Sequence, residues 1–311
     1  MRFRNFLNQN LFLKFLIQNL YNRKNISYLR FKQIENSSYI PKNKITPEEF
    51  EFWNENGFLV LRNFFDEKEI NNLNSFIEEI WEIRKGDKFE ISIDIFIGTE
   101  KERRVKFKDA EIESKSFPYK LNDLFLNYDE IRQFILNETL VEYLFQLLDG
   151  EVMVCNSLNF EKGSGQGMHF DTLFMPPIVE NKMLATWIAL EDGDADSGPL
   201  AYYPKSHKIK PYLFSNGRLN FIKEEMPNFT EYIEKNIQDL GLKKEIFIPK
   251  KGDVFIWHAQ LLHGGEKINN PNLTRKSLVS HYFRAKDSLL GNYKIQNSCS
   301  HYLIRKHQAE I

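Results

Sequence analysis

The spacing of hydrophobic residues changes character along the 311-residue chain. Over residues 1–34, Phe3, Phe6, Leu7, Leu11, Phe12, Phe15, Leu16 and Leu20 fall near helical spacing. Globular patterning starts at Thr46-Pro47-Glu48-Glu49: Thr46 suits a helix cap, Pro47 the first turn, Glu49 closes a capping box, and Gly57 is a natural stop. Phe58 to Arg62 predicts a short strand, and Asp66 with Glu69 opens a second capped helix with apolar positions Ile70, Leu73, Phe76, Ile77 and Ile80. Phe89, Ile91, Ile93, Ile95 and Ile97 alternate with polar residues, the period of a half-buried strand, and a turn follows at Gly98-Thr99. Helical spacing returns over 129–149 and ends at Gly150. Beyond 151 the pattern predicts short strands at 151–160, 168–174, 183–191, 199–203, 244–249, 253–258 and 275–284, with a helical insertion near 222–240. A helical front half packed on an all-β sandwich or barrel accounts for this order.

Composition narrows the class. Hydrophobic residues at 42% and charged residues at 27% are ordinary for a globular protein and exclude disordered, collagen-like and coiled-coil chains. Lys+Arg at 42 against Asp+Glu at 43 leaves a net charge of -1, which argues against a nucleic-acid partner. Two cysteines, Cys155 and Cys299, leave no disulfide framework and no CxxC site, and fit a reducing compartment such as the cytoplasm. Locally the charge is uneven: residues 1–34 hold Arg2, Arg4, Lys14, Arg23, Lys24, Arg30 and Lys32 and no acid. Three readings stand for this segment: a helix docked on the domain, an amphipathic helix in weak contact with a membrane surface, or a mitochondrial transit peptide. The docked helix is the simplest. Its longest apolar run, Leu11 to Ile17, is broken by Lys14 and falls far short of a membrane span.

Candidate chemistry centres on His169-Phe170-Asp171, because residues i and i+2 of a strand share a face and both side chains could reach one metal ion. A further histidine would complete the two-His, one-carboxylate set that holds Fe(II) with positions left open, and both His258 and His263 lie in the segment from Gly252 to Gly265. Other suggestive patterns have simpler explanations. Asp192, Asp194 and Asp196 lack the Gly and the acid of a calcium loop, since Ser197 and Tyr203 stand there, so a solvated turn is expected. Gly163-Ser164-Gly165-Gln166-Gly167 lacks the Lys-Ser/Thr ending of a phosphate loop and reads as a turn bordering the site. His207 suits a loop-fixing role, Met168, Phe174 and Met175 suit pocket lining, and His281, His301 and His307 carry no partner pattern.

The ordered set of motifs is more specific than HxD alone. After Asp171 come Ala185-Thr186-Trp187-Ile188-Ala189-Leu190, then Ser197-Gly198-Pro199-Leu200 running to Ser206-His207, then the Gly-Asp strand ending near His263, then Arg275. Over roughly residues 46–284 this resembles the phytanoyl-CoA dioxygenase family of Fe(II)/2-oxoglutarate oxygenases. The resemblance implies that His169, Asp171 and His263 bind iron, and that Arg275 pairs with the distal carboxylate of 2-oxoglutarate. Ser277 would donate to the same group, and Trp187 would lie near the cosubstrate. An Arg fork suits that task, because it holds a carboxylate by two parallel charge-assisted hydrogen bonds. His258 is then a packing or supporting residue. The His263 to Arg275 interval, with Asn269-Asn270-Pro271, is one residue longer than the family spacing.

The implied fold is mainly β with helices: a double-stranded β-helix, a jelly-roll barrel of the cupin kind, buttressed by N-terminal helices. The implied organisation is a basic extension over 1–45, an oxygenase domain over 46–285 with a helical front at 46–150 and a jelly-roll core at 151–285, and a C-terminal tail at 286–311. The implied activity is hydroxylation of a C–H bond of a small organic molecule, with Fe(II) as cofactor and 2-oxoglutarate and dioxygen as cosubstrates. Asp171 favours hydroxylation over halogenation. Two rivals come from other classes: a non-catalytic jelly-roll binding module, and a cupin metalloenzyme that does not use 2-oxoglutarate.

Overall fold

The computed structural model describes residues 39–86, 88–287 and 292–307, so the basic segment 1–34 lies outside the described residues. Helix α1 (Pro47–Asn56) starts as its sequence predicts: the Thr46 side chain accepts from the Glu49 N–H and the Glu49 carboxylate from the Thr46 N–H. It stops at Gly57, whose φ of 80° is left-handed and whose added Cβ would sit 2.4 Å from His207 Nδ1. Asp66 and Glu69 cap α2 (Glu67–Ile83) in the same reciprocal way. The predicted helix over 129–149 is two helices, α3 (Asp129–Ile135) and α4 (Glu138–Leu148), because the Asn137 side chain accepts from the N–H groups of Thr139 and Leu140 and starts a new helix. The insertion is α5 (Met226–Asp239).

Strands β1 (Phe58–Leu61), β2 (Ser92–Ile95), β3 (Arg103–Lys106) and β4 (Lys120–Asn122) come from the front half, which is therefore more than a helical buttress. The predicted strand over 89–97 shortens to β2 because Glu90 and Phe96 take positive φ, 45° and 56°, and break the ladder at both ends. From the back half come β5 (Val152–Phe160), β6 (Met183–Ala189), β7 (Leu200–Tyr202), β8 (Glu245–Phe247), β9 (Val254–His258), β10 (His263–Gly265) and β11 (Ser277–Arg284). A terminal hairpin, β12 (Asn292–Asn297) and β13 (Ser300–Ile304), follows. The large sheet runs β1-β9-β6-β11-β5-β4-β2-β3, antiparallel throughout, with β13 added in parallel to β5; a smaller sheet runs β10-β7-β8. The protein is thus mainly β with helices.

The central strands of the large sheet are buried on both faces, and alternation assigns each residue to one of them. Leu184, Ile188, Val254, Ile256, Leu278 and Tyr282 join the helices in one core. Ala185, Trp187, Ala189, Phe255, Trp257 and Val279 point the other way, toward Leu200, Tyr202 and Phe247 of the small sheet. The central strands therefore read as unbroken hydrophobic runs, and β6 is buried at every position. Among the described residues no helix is long and apolar enough to cross a membrane.

Candidate metal centre and cosubstrate cavity

Residues 168–174 do not form the predicted strand. Instead His169 makes a single antiparallel bridge with His263, through His169 N–H to His263 O at 2.8 Å and His263 N–H to His169 O at 3.1 Å. A short 3-10 turn then begins at Asp171 (Asp171–Leu173). The same-face argument nevertheless works, because Phe170 between the two is extended at φ -104° and ψ 138°. Gly264 beside the bridge has no room for a side chain: a Cβ there would lie 2.9 Å from the Gln166 carbonyl oxygen.

His169, Asp171 and His263 converge so that one ligand atom from each lies within 4.8 Å of the others, among the described residues the one such set of three. Asp171 Oδ1 is 3.8 Å from His169 Nε2 and 3.6 Å from His263 Nε2. Each ring is oriented from behind: His169 Nδ1 donates to the Gly167 carbonyl at 2.7 Å and His263 Nδ1 to the Leu261 carbonyl at 2.9 Å. That assignment leaves both Nε2 lone pairs toward the centre, the tautomer a metal-binding imidazole needs. Asp171 is oriented too, since Trp257 Nε1 donates to its Oδ2 at 2.8 Å and leaves Oδ1 facing the histidines. Burial pushes the Asp171 carboxyl up, but His263, His281 and His169 beside it outweigh this and hold it below the usual carboxylate range. Burial and the neighbouring His263 lower the His169 imidazole to about 4. Two imidazoles and a carboxylate suit an Fe(II) ion.

A cavity of about 320 Å³ opens on these residues, its lining including Trp187, Arg275, Val279, Arg104, Lys120 and Asn156. Arg275 is 5% exposed; its Nη1 donates to the Gly198 carbonyl at 3.0 Å, and its guanidinium lies 5.8 Å from the centroid of the Trp187 ring. Burial alone lowers it to about 10. Arg275 Nε, Ser277 Oγ and Trp187 Nε1 are buried polar atoms without a hydrogen-bond partner among the described residues. Ser277 and Trp187 lie on adjoining strands, since β11 pairs with β6, Ser277 opposite Ala189 and Val279 opposite Trp187, and Arg275 lies two residues before β11. Two unpaired donors, Arg275 Nε and Trp187 Nε1, on the cavity of a metal-ligand set fit an anionic cosubstrate such as a dicarboxylate.

His258 lies elsewhere, outside the ligand set. Its ring packs near Trp53 and His207, with centroids at 6.2 and 5.5 Å, and Nδ1 accepts the Gln260 N–H at 3.0 Å. His207 contacts the Asn54 carbonyl at 3.1 Å, tying its loop to α1. Phe174 and Met175 line the cavity, as do Ser164 and Gln166 of the glycine-rich turn, while Met168 is partly exposed and would contact a Cβ at position 264. In the long interval before Arg275, the N–H groups of Asn269 and Asn270 both donate to the Asp196 carbonyl at 3.0 Å, so the extra length is anchored. Sequence reasoning missed Trp257 and His281. A signal for His281 existed, because it stands two residues beyond Val279 and four beyond Ser277 on one strand face.

Comparison with known proteins agrees with this geometry. The family model for phytanoyl-CoA dioxygenase (PhyH) matches residues 53–277. The chain is 23% identical over 257 residues to the peroxisomal phytanoyl-CoA dioxygenase of Rattus norvegicus, covering 78% of this chain and 70% of that one. It is 24% identical over 258 residues to the Homo sapiens protein, covering 79% and 70%. Among solved structures it is similar to the non-heme alpha ketoglutarate dependent carbocyclase SnoK from nogalamycin biosynthesis, with a TM-score of 0.58, 17% identity, and 79% and 87% of the two chains covered. EctD from S. alaskensis with 2-oxoglutarate and 5-hydroxyectoine is similar at a TM-score of 0.55 and 15% identity over 89% and 90% of the chains. At such identities these structures share the fold, and the match to the family model over most of the chain settles kinship: the protein belongs to the phytanoyl-CoA dioxygenase (PhyH) family.

Proposed function

We propose that this protein is an Fe(II)- and 2-oxoglutarate-dependent dioxygenase that hydroxylates a C–H bond of a small organic molecule. The observation that carries the reading is the pairing of a two-His, one-carboxylate set with two orphaned buried donors, Arg275 Nε and Trp187 Nε1, on one cavity. His169, Asp171 and His263 hold the iron, and Arg275 with Ser277 receives the distal carboxylate of 2-oxoglutarate. Trp187 flanks that carboxylate. When bound, iron and 2-oxoglutarate supply the oxidation with dioxygen: 2-oxoglutarate leaves as succinate and carbon dioxide, and one oxygen atom enters the product as hydroxyl.

The chain's own residues orient and exclude. The backbone carbonyls of Gly167 and Leu261 hold the two imidazoles in the ligating tautomer, and Trp257 fixes Asp171. Arg275, desolvated by the closed wall, gives a charge-assisted fork that water does not weaken. Phe174, Met175 and Leu158 give part of the cavity an apolar lining that suits the hydrocarbon part of a substrate. The large and small sheets facing each other across this cavity support a double-stranded β-helix, with the oxygenase domain spanning 46–285. Succinate formation by purified protein with Fe(II), ascorbate and 2-oxoglutarate, screened against organic acids, acyl thioesters and amino-acid derivatives, tests the reading. Stimulated succinate that is lost in Asp171→Ala is expected. Output equal to that of Asp171→Ala with every compound would contradict it.

A further inference from the structure

We propose that His281 is a positioning residue for the metal-facing oxygen of Asp171, held in place by Asn156 and Asp123; the inference rests on the iron reading of the ligand set. His281 is 4% exposed, and its Nε2 lies 3.4 Å from Asp171 Oδ1, the same oxygen that faces His169 and His263. Trp257 holds the other carboxylate oxygen, and its ring stands at 84° to that of His281 with centroids 6.3 Å apart. The carboxylate is thus confined from two sides.

The ring of His281 is itself held. His281 and Asn156 are opposite each other in the β11–β5 ladder, and the register slips just beyond His281, a bulge of the kind that re-aims a side chain. Asn156 Nδ2 donates to Asp123 Oδ1 at 3.2 Å, so its amide oxygen is the atom that accepts from His281 Nδ1, at 3.0 Å. Asp123 is anchored in turn, accepting the Ser157 N–H at 3.2 Å and Arg305 Nη2 at 2.6 Å. A line of hydrogen bonds therefore runs from the C-terminal end of the described chain through Asp123 and Asn156 to His281, whose Nε2 stands 3.4 Å from the carboxylate oxygen. Asp171 sits on a one-turn 3-10 segment rather than in a ladder, so the backbone alone fixes its side chain less firmly than a sheet would.

Co(II) is the probe: it is titrated into metal-free native protein, His281→Ala, His281→Gln and Asn156→Ala, with the visible d–d absorption reporting affinity and geometry. Thermal unfolding of each metal-free protein is measured alongside. Outer partners of metal ligands are typically worth about 10–100-fold in metal affinity. His281→Ala should weaken Co(II) by about that factor and shift the band, His281→Gln should recover part, and Asn156→Ala should follow in the same direction, with metal-free unfolding little changed in Asn156→Ala. Should His281→Ala fail to fold, Asn156→Ala and His281→Gln decide. Superimposable bands and affinities within about twofold of native would overturn the role of His281 while leaving the metal site standing. A native protein that takes up no Co(II) would overturn the metal reading itself, and the inference with it.

Discussion

Glu142 and Arg275 are both charged and both nearly sealed, at 3% and 5% exposure, yet the chain surrounds them in opposite ways. Glu142, on α4, accepts from Tyr39 Oη at 2.7 Å, from the Lys42 and Asn43 N–H groups at 2.9 Å each, and from Asn43 Nδ2 at 2.6 Å. It is saturated by residues 39–43 and fastens that segment to the helix. Arg275 donates to one carbonyl and keeps Nε unpaired, as are Ser277 Oγ and Trp187 Nε1. Glu142 is satisfied from within the chain, whereas Arg275 keeps a donor open on the cavity that the proposed cosubstrate would fill.

The largest effects should break the open cluster at its centre. His169→Ala, Asp171→Ala or His263→Ala should abolish both metal uptake and turnover, checked by metal analysis and succinate formation; normal activity in any of them would dismiss the ligand assignment. Next, Arg275→Ala should leave iron binding nearly intact but weaken 2-oxoglutarate by more than about a hundredfold. Losing one partner of a buried ion pair costs about 3–5 kcal/mol, and each 1.4 kcal/mol is about tenfold. Arg275→Lys should recover only part, since an ammonium has no planar fork. A 2-oxoglutarate affinity unchanged in Arg275→Ala would make Arg275 a structural charge like Glu142.

The closed cluster should respond in the opposite currency. Glu142→Ala should lower stability by about 2–4 kcal/mol in chemical denaturation, because buried donors lose a charged acceptor, and should leave 2-oxoglutarate affinity at the native value. Burial pushes the Glu142 carboxyl up, but the bonds from Tyr39, Lys42 and Asn43 outweigh it and hold it at about 2, below the ordinary 4.5. Its stabilisation is therefore complete above about pH 4.5 and is lost as pH falls through about 2, and Glu142→Gln should flatten the stability profile across that window. The smallest effect on the site is expected from His258→Ala, which should keep the metal and lose about 1–3 kcal/mol of stability through a cavity beside Trp53. Metal loss there, with retention in His263→Ala, would reverse the ligand choice.

Legibility in the sequence followed the same division. Helix starts at Thr46 and Asp66 were readable because a capping box is local chemistry, fixed by residues three apart. The core strands were readable from their apolar runs. The interruptions were not: positive φ at Glu90 and Phe96 leaves no mark in the apolar alternation, the cap at Asn137 is a local signal masked by the continuous helical spacing, and the single bridge at His169 depends on His263, distant in sequence. At the site, His169, Asp171, His263, Arg275, Ser277 and Trp187 could be named from their order; all but Ser277 line one cavity, and Ser277 lies on β11 two residues before the lining residue Val279. Trp257 was hidden because its sequence context is that of a core residue. For His281 the strand alternation offered its face, but its partner, Asn156, lies on another strand 125 residues away.

The central claim is that this cavity binds Fe(II) and 2-oxoglutarate together through His169, Asp171 and His263. Anaerobic titration of 2-oxoglutarate into protein loaded with Fe(II), followed by visible absorption, tests it most directly. A metal-to-ligand charge-transfer band that saturates at one cosubstrate per chain, requires iron, and is absent in Asp171→Ala is the expected result. No band in the native protein, or an equal band in Asp171→Ala, would contradict it.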